Sequence, residues 1–241
     1  MTPPASDPLR ALAVETSSRH GSIAVAQGDR VLARRDFTQQ RRHAVELLPC
    51  VDAALAELGW RPGDLQHVYV SAGPGSFTGL RIAITFARAL AQAVGSRIVL
   101  VPTPEALALN APAHVRHLAV VLDAKRGQVY AAIFSRSADG EPWTPAVPVG
   151  LYDPPVLLAA VPRPLHVLGE GIDYHRDALG FGDDLIELPR ATWRPRAEAV
   201  WTIGRRMAQA GRFTPLQDAT PIYVRRPEAE EKWEQLHGGQ G

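Results

Sequence analysis

Several residue types are scarce in this sequence, and each scarcity excludes a class of protein. Cys50 is the single cysteine, so no intrachain disulfide can form, and we expect a reducing, cytoplasmic setting. No apolar run approaches the ~20 residues that a membrane-spanning helix needs. Lysine occurs only twice, but arginine restores the balance, since 26 basic and 25 acidic residues give a net charge of +1. A dedicated nucleic-acid-binding protein would carry a clear basic excess, so this class is disfavoured.

What remains is the composition of an ordinary globular protein. The chain has 241 residues, of which 46% are hydrophobic and 21% charged. Such a length suits one large domain or two small ones, and it allows a substantial core without disulfides or metal. Apolar spacing predicts helices over residues 40–58 and 77–94, with short buried strands around them. This alternation predicts an α/β protein.

One pattern occurs twice along the chain. A short apolar strand ends at Glu15, a polar turn reaches Gly21, and an apolar strand returns. The same order of strand, acid, turn, glycine and strand is found around Asp123 and Gly127, about 108 residues later. Two similar halves that each open with a β-hairpin predict a duplicated α/β architecture.

The sharpest local motif is a glycine-rich loop between a predicted strand and a predicted helix. It reads Gly73-Pro74-Gly75-Ser76-Phe77-Thr78-Gly79-Leu80-Arg81. The start of a helix suits anion binding, but the loop lacks the lysine of a phosphate-binding P-loop and the spacing of a dinucleotide-binding motif. A tight turn that lets the helix pack close to the sheet explains the glycines better, with Ser76 or Thr78 as the cap.

The helix that follows this loop is apolar around most of its circumference. Its polar residues form one narrow stripe, and apolar residues occupy nearly all other positions. Such a helix must be buried on more than one side. The second neighbour is either the helix over 40–58 within the same chain or another subunit.

Glu15 and Asp123 end equivalent strands. In duplicated nucleotide-binding folds, acids at these places hold magnesium through water, but acids that simply form turns are more common. The eight histidines do not cluster in sequence, so a zinc site is not expected.

Three stretches together resemble the TsaB (YeaZ) family. They are Ala13-Val14-Glu15-Thr16-Ser17, the loop Gly73–Arg81, and Leu122-Asp123-Ala124-Lys125-Arg126-Gly127-Gln128-Val129-Tyr130. The resemblance covers nearly the whole chain. It implies the actin-like ATPase fold of sugar kinases, Hsp70 and actin, with a partner-binding N-terminal domain over residues 1–104. A C-terminal domain with a frayed tail would then occupy residues 105–241.

The resemblance also implies a function and partners. Members of the family take part in forming N6-threonylcarbamoyladenosine (t6A) next to the tRNA anticodon, as a non-catalytic partner of the paralogue TsaD, working with the ATPase TsaE. The chain would form a homodimer when TsaD is absent, meet tRNA only through the complex, and need no membrane. No cofactor is expected on this chain alone, with ATP or ADP and magnesium restricted to the partner interface.

Site residues follow from the same resemblance. The partner interface is predicted at Leu47, Leu48, Val51, Phe77, Leu80, Ile84 and Ala87. Candidate nucleotide-binding residues are Thr16, Ser17, Gly73, Gly75 and Asp123. Glu15 departs from the aspartate that is usual in the family, which weakens the expectation of nucleotide binding by this chain.

Catalytic residues are not expected. The catalytic paralogue carries a His-Met-Glu-Gly-His metal motif, which falls here on Thr103-Pro104-Glu105-Ala106-Leu107. Threonine and leucine cannot replace two imidazole ligands. An active ATPase or small-molecule kinase of the same fold remains the alternative, and a metal-dependent peptidase is a weaker one.

Overall fold

The structure is a computed structural model that describes residues 8–38, 42–159 and 161–222. The frayed tail predicted at the C-terminus lies outside these described residues. None of the helices in the described ranges is both long and apolar enough to cross a membrane.

The first half of the chain forms a five-stranded sheet. Its strands are β1 (Arg10–Glu15), β2 (Ser22–Gln27), β3 (Arg30–Asp36), β4 (His67–Gly73) and β5 (Arg97–Pro102). They lie in the order β3-β2-β1-β4-β5, with β1 to β3 antiparallel and with β4 and β5 parallel to β1. Two helices connect them, α1 (His43–Glu57) and α2 (Phe77–Val94).

The second half forms another five-stranded sheet. Its strands are β6 (His117–Asp123), β7 (Val129–Ser135), β8 (Thr144–Tyr152), β9 (Leu165–Leu168) and β10 (Leu185–Glu187). The helices of this half are α3 (Thr103–Ala108), α4 (Pro154–Ala159), α5 (Ile172–Leu179) and α6 (Ala197–Gln209). The order β10-β9-β6-β7-β8 matches the first sheet when it is followed from its other edge. The predicted duplication is confirmed, because Glu15 and Asp123 end equivalent strands.

Local sequence signals account for the limits of α2. The Ser76 hydroxyl accepts a hydrogen bond from the Gly79 amide at 3.3 Å, which caps the first turn. At the other end, Gly95 adopts a left-handed conformation with φ of 78°, which glycine tolerates best. The observed limits of α2 are those predicted from the apolar spacing. Helix α1 begins at His43, three residues after the predicted start.

Both faces of the first sheet are covered by helices. Helices α1 and α2 pack on one face together with Leu12, Val14 and Val70. Helix α6 packs on the other face, where Val200 and Ile203 cluster with Tyr69. Helix α6 thus returns to the first sheet although it follows the second sheet in the chain. The domain boundary at residues 104–105 stays a prediction.

The close approach of α6 to the sheet yields a test. A methyl group at Gly204 would lie 2.5 Å from Cγ of Tyr69. On an exposed helix surface, replacing glycine by alanine stabilises by about 1 kcal/mol. Here we expect Gly204→Ala to destabilise by about 1–3 kcal/mol, because Tyr69 is fully buried and has no room to move. Urea unfolding measures this, with Gly63→Ala as the control, since nothing lies within 4 Å of its added methyl. Stabilisation by Gly204→Ala would contradict the packing.

Candidate functional site

The turn after β1 folds back on the carboxyl group that ends the strand. Glu15 is fully buried, and its Oε1 accepts hydrogen bonds from the Ser17 amide at 2.5 Å and the Ser17 hydroxyl at 2.6 Å. Burial raises the pKa of Glu15 to about 7, although the hydrogen bonds from Ser17 oppose the rise. Below pH 7 this carboxyl is therefore mostly neutral, unlike an ordinary magnesium ligand.

The glycine-rich loop brings α2 directly onto this turn. The Ser76 amide donates to the Ser17 carbonyl oxygen at 2.6 Å, and the Thr16 hydroxyl donates to the Gly79 carbonyl oxygen at 2.8 Å. A methyl group at Gly79 would overlap the Thr16 carbonyl oxygen, and one at Gly75 would lie 2.9 Å from Cβ of Ser17. The glycines thus allow two backbones to touch, in agreement with the interpretation as a tight turn.

The equivalent turn after β6 is stabilised by charge rather than burial. Asp123 forms an ion pair with the Lys125 ammonium group, accepts from the Lys125 amide at 3.0 Å, and lies 3.1 Å from Nε2 of His175. Burial alone would raise the pKa of Asp123, but the hydrogen bonds from Lys125 and His175 outweigh it and leave the pKa below its ordinary value. The carboxylate oxygens of Asp123 are therefore occupied by groups of this chain.

The structure brings most of the candidate nucleotide-binding residues to one corner. Thr16, Ser17, Gly73 and Gly75 lie together at the carboxyl ends of β1 and β4. Asp123 is linked to this corner through a chain of contacts. Arg19 in the turn after β1 donates to the Tyr174 hydroxyl at 3.1 Å, and the Lys125 ammonium lies 4.9 Å from the centre of the Tyr174 ring. Nucleotide binding by these five residues stays a prediction.

The five positions on which the metal motif of the paralogue falls, residues 103–107, lie within α3. Thr103 and Leu107 are buried, and Glu105 is the only one of the five with a metal-ligating side chain. Burial raises the pKa of Glu105, and Arg212 and Arg206 act against this rise. Within the described ranges, no three histidine, cysteine, aspartate or glutamate side chains come close enough to hold a metal ion.

The predicted interface residues divide into two groups. Five of them are buried. Leu47, Val51, Ile84 and Ala87 belong to the core between α1, α2 and the first sheet, and Leu80 is buried beside Gly73 at the end of β4. These side chains hold the helices on their own sheet and are not available to a partner in this structure. Only Leu48 and Phe77 are exposed. Both helices have apolar positions on two sides, and the sequence pattern did not reveal which side faces the sheet.

Three large apolar side chains of these helices are exposed, and here we call this set the α1/α2 face. It consists of Val45, Leu48 and Phe77, with exposed fractions of 64%, 61% and 44%. The Arg81 guanidinium lies 4.6 Å from the centre of the Phe77 ring. Val45 was missed by the sequence analysis. Its position three residues before Leu48, on the same side of α1, was the available signal.

Comparison with known proteins identifies relatives along the whole chain. Residues 30–140 match the family model described as "TsaD: tRNA N6-adenosine threonylcarbamoyltransferase". The chain is 30% identical over 228 residues to "tRNA threonylcarbamoyladenosine biosynthesis protein TsaB" of Bacillus subtilis, covering 92% of this chain and 96% of that protein. It is 28% identical over 236 residues to the protein of the same name from Escherichia coli, covering 95% and 99%.

Solved structures agree with these relatives. "YeaZ from Pseudomonas aeruginosa" superposes with a TM-score of 0.76 at 25% identity, covering 89% of this chain and 99% of that one. A second Pseudomonas aeruginosa structure, described as having "similarity to peptidase YEAZ", gives a TM-score of 0.78 at 24% identity, covering 90% and 100%. Together with the two matching sheets, these likenesses confirm the predicted actin-like ATPase fold.

The buried carboxyl group makes stability depend on pH in a defined direction. The folded pKa of Glu15 lies above the unfolded value, so the contribution of this group to stability is full below pH 4.5 and is lost as the pH rises to 7. Glu15→Gln removes the ionisable group. We expect the unfolding free energy of the variant minus that of the wild type to increase by about 3 kcal/mol between pH 4.5 and pH 8. Urea unfolding across this range measures the difference, and a difference that stays constant with pH would contradict the account.

Proposed function

Because the chain belongs to the TsaB family of tRNA threonylcarbamoyladenosine biosynthesis proteins, we propose that it activates TsaD as a non-catalytic subunit. The contact is made through the α1/α2 face. The observation that carries this proposal is the exposure of three large apolar side chains, Val45, Leu48 and Phe77, on two helices whose inner sides are buried against the first sheet.

The chemistry of this face suits a stable protein contact. Large exposed apolar side chains that adjoin one another are typical of interaction sites, and Val45 and Leu48 lie on the same side of α1. Phe77 with Arg81 stacked on its ring provides the aromatic and arginine combination that contributes most at interfaces. The buried residues below, such as Leu47 and Leu80, fix the helices on the sheet. A partner would therefore meet a preformed surface, which lowers the entropic cost of association.

The nucleotide corner supports a non-catalytic role. Ser76 and Ser17 already direct their amides at acceptors of this chain, the Ser17 carbonyl and the Glu15 carboxyl. Neither acid offers a free carboxylate for magnesium, since Glu15 is buried with a pKa of about 7 and Asp123 is paired with Lys125. These residues do not fit a magnesium nucleotide on this chain alone. ATP or ADP at the partner interface would need groups from TsaD.

The same features disfavour the alternative of an active ATPase or small-molecule kinase, which would need an ionised acid that is free to bind magnesium, whereas Glu15 is buried and Asp123 is paired with Lys125.

In the proposed assembly, the α1/α2 face binds TsaD, or a second copy of this chain when TsaD is absent. TsaD and the second copy therefore compete for this face. TsaE joins the pair, and tRNA is reached through the complex.

A charge on the α1/α2 face tests the proposal. We expect Leu48→Glu to weaken the binding of TsaD from the same organism at least tenfold, which is about 1.4 kcal/mol, because the carboxylate would have to be desolvated in the interface. Isothermal titration calorimetry measures the dissociation constant. The fold should be kept, since Leu48 is exposed.

Val156→Glu is the matched control. Val156 is 71% exposed on α4, away from the proposed contact, and we expect this variant to bind TsaD like the wild type. Unchanged binding by Leu48→Glu, or an equal loss with Val156→Glu, would refute the assignment of the interface.

A further inference from the structure

The four residues Glu15–Ser18 are here called the β1 turn. Glu15 is the last residue of β1, and the other three follow it. We propose that the β1 turn positions α1 and α2 from behind the α1/α2 face, with the Glu15 carboxyl as the group that keeps the turn closed. This inference rests on the proposed function, because it makes Glu15 a positioning residue for partner binding rather than a contact or a catalytic group.

The β1 turn is joined to the first turn of α2 by two hydrogen bonds in opposite directions. The Ser76 amide donates to Ser17, and the Thr16 hydroxyl donates to the Gly79 carbonyl oxygen. The backbones touch here, since neither Gly75 nor Gly79 has room for a methyl group. Phe77 of the α1/α2 face lies between these two contacts in sequence, so a shift of the β1 turn moves its backbone.

The β1 turn also fixes the start of α1. Nε2 of His43, the first residue of α1, lies 2.9 Å from the Ser18 carbonyl oxygen, and His43 is buried. Its ring packs beside Gly21, where an added methyl group would lie 2.8 Å from Nδ1. Val45 lies two residues further along α1. The β1 turn therefore contacts both helices at the ends nearest to the α1/α2 face.

Glu15 holds the β1 turn in this shape through its two bonds to Ser17. The pKa of this carboxyl is set by burial and by two neutral hydroxyl groups, those of Ser17 in the turn and of Ser71 on β4. Ser22, the register partner of Glu15 on β2, accepts a hydrogen bond from the Ala197 amide of α6. The other carboxyl oxygen, Oε2, is buried without a hydrogen-bond partner among the described residues. Burial disfavours the charged form of this carboxyl, so ionisation favours an open turn in which water hydrates the charge.

Opening of the β1 turn should therefore increase with pH. The carboxyl pKa is about 7 when the turn is closed and near 4.5 when it is exposed to water. Proton linkage then raises the opening constant about tenfold between pH 6 and pH 8. A neutral glutamine in place of Glu15 removes this dependence and keeps an oxygen that accepts from Ser17.

Hydrogen exchange measured by mass spectrometry on the full-length chain tests whether the Glu15 carboxyl controls the opening of the β1 turn. Wild type and Glu15→Gln are compared at the same pH, so that the chemical exchange rate cancels. For peptides that contain the amides of residues 76–80, we expect the wild-type rate relative to the variant to rise about tenfold from pH 6 to pH 8. An unchanged ratio would overturn the proposal.

A second variant keeps the test decisive if Glu15→Gln does not fold. Thr16→Val removes the hydroxyl that bonds to Gly79, and we expect it to speed exchange at the start of α2 at both pH values. Thr202→Val is its control, because Thr202 makes the same kind of bond to the Glu198 carbonyl oxygen within α6. Equal exchange at the start of α2 in both valine variants would also overturn the proposal.

Titration of TsaD completes the experiment and separates the two claims. We expect the wild type to bind more weakly at pH 8 than at pH 6 relative to Glu15→Gln. No TsaD binding by any variant at either pH would refute the proposed function, while the exchange ratio would still decide how the β1 turn behaves. Binding with the same pH dependence in both proteins would refute the link between Glu15 and the α1/α2 face alone.

Discussion

The direct contact between two backbones, at the turn after β1 and the first turn of α2, is the constraint on which the first half of the molecule depends. Gly75 and Gly79 make the contact possible, because a methyl group at either position would collide with Ser17 or Thr16. The contact uses the Ser76 amide, a group that a phosphate-binding loop would offer to a ligand, as a donor to the Ser17 carbonyl oxygen. In a strand–loop–helix unit that resembles an anion site, one of the donors at the start of α2 is thus bonded to the protein itself.

The two halves share a topology but differ in how their equivalent acids are held. Asp123 lies in a network of Lys125 and His175, whereas the equivalent Glu15 is buried among hydroxyl groups. The first half carries exposed Val45, Leu48 and Phe77 on helices whose inner sides pack on the first sheet. Helix α6 closes the opposite face of the first sheet, with Gly204 against Tyr69. The first sheet is therefore held between α6 on one side and, on the other, the two helices that carry the α1/α2 face.

Much of the fold could be predicted from the sequence, because its signals are local. The repeat around Glu15 and Asp123 gave the duplication, and apolar spacing with Ser76 and Gly95 gave the limits of α2. The orientation of the helices could not be predicted in this way. Leu47 and Leu48 are adjacent and equally apolar, yet one is buried and the other exposed, and only tertiary packing distinguishes them. The return of α6 to the first sheet depends on contacts distant in sequence, such as Ile203 with Tyr69, for which the local pattern holds no signal.

The central claim is that this chain activates tRNA modification without catalysing it. The most direct measurement is the rate of t6A formation in a mixture of TsaD, TsaE, threonylcarbamoyl-adenylate, ATP and unmodified tRNA, with increasing amounts of this protein. The account predicts little product without it, a rate that saturates near one chain per TsaD, and no product when TsaD is omitted. An equal rate without this protein, or product formation by this chain in the absence of TsaD, would contradict the account.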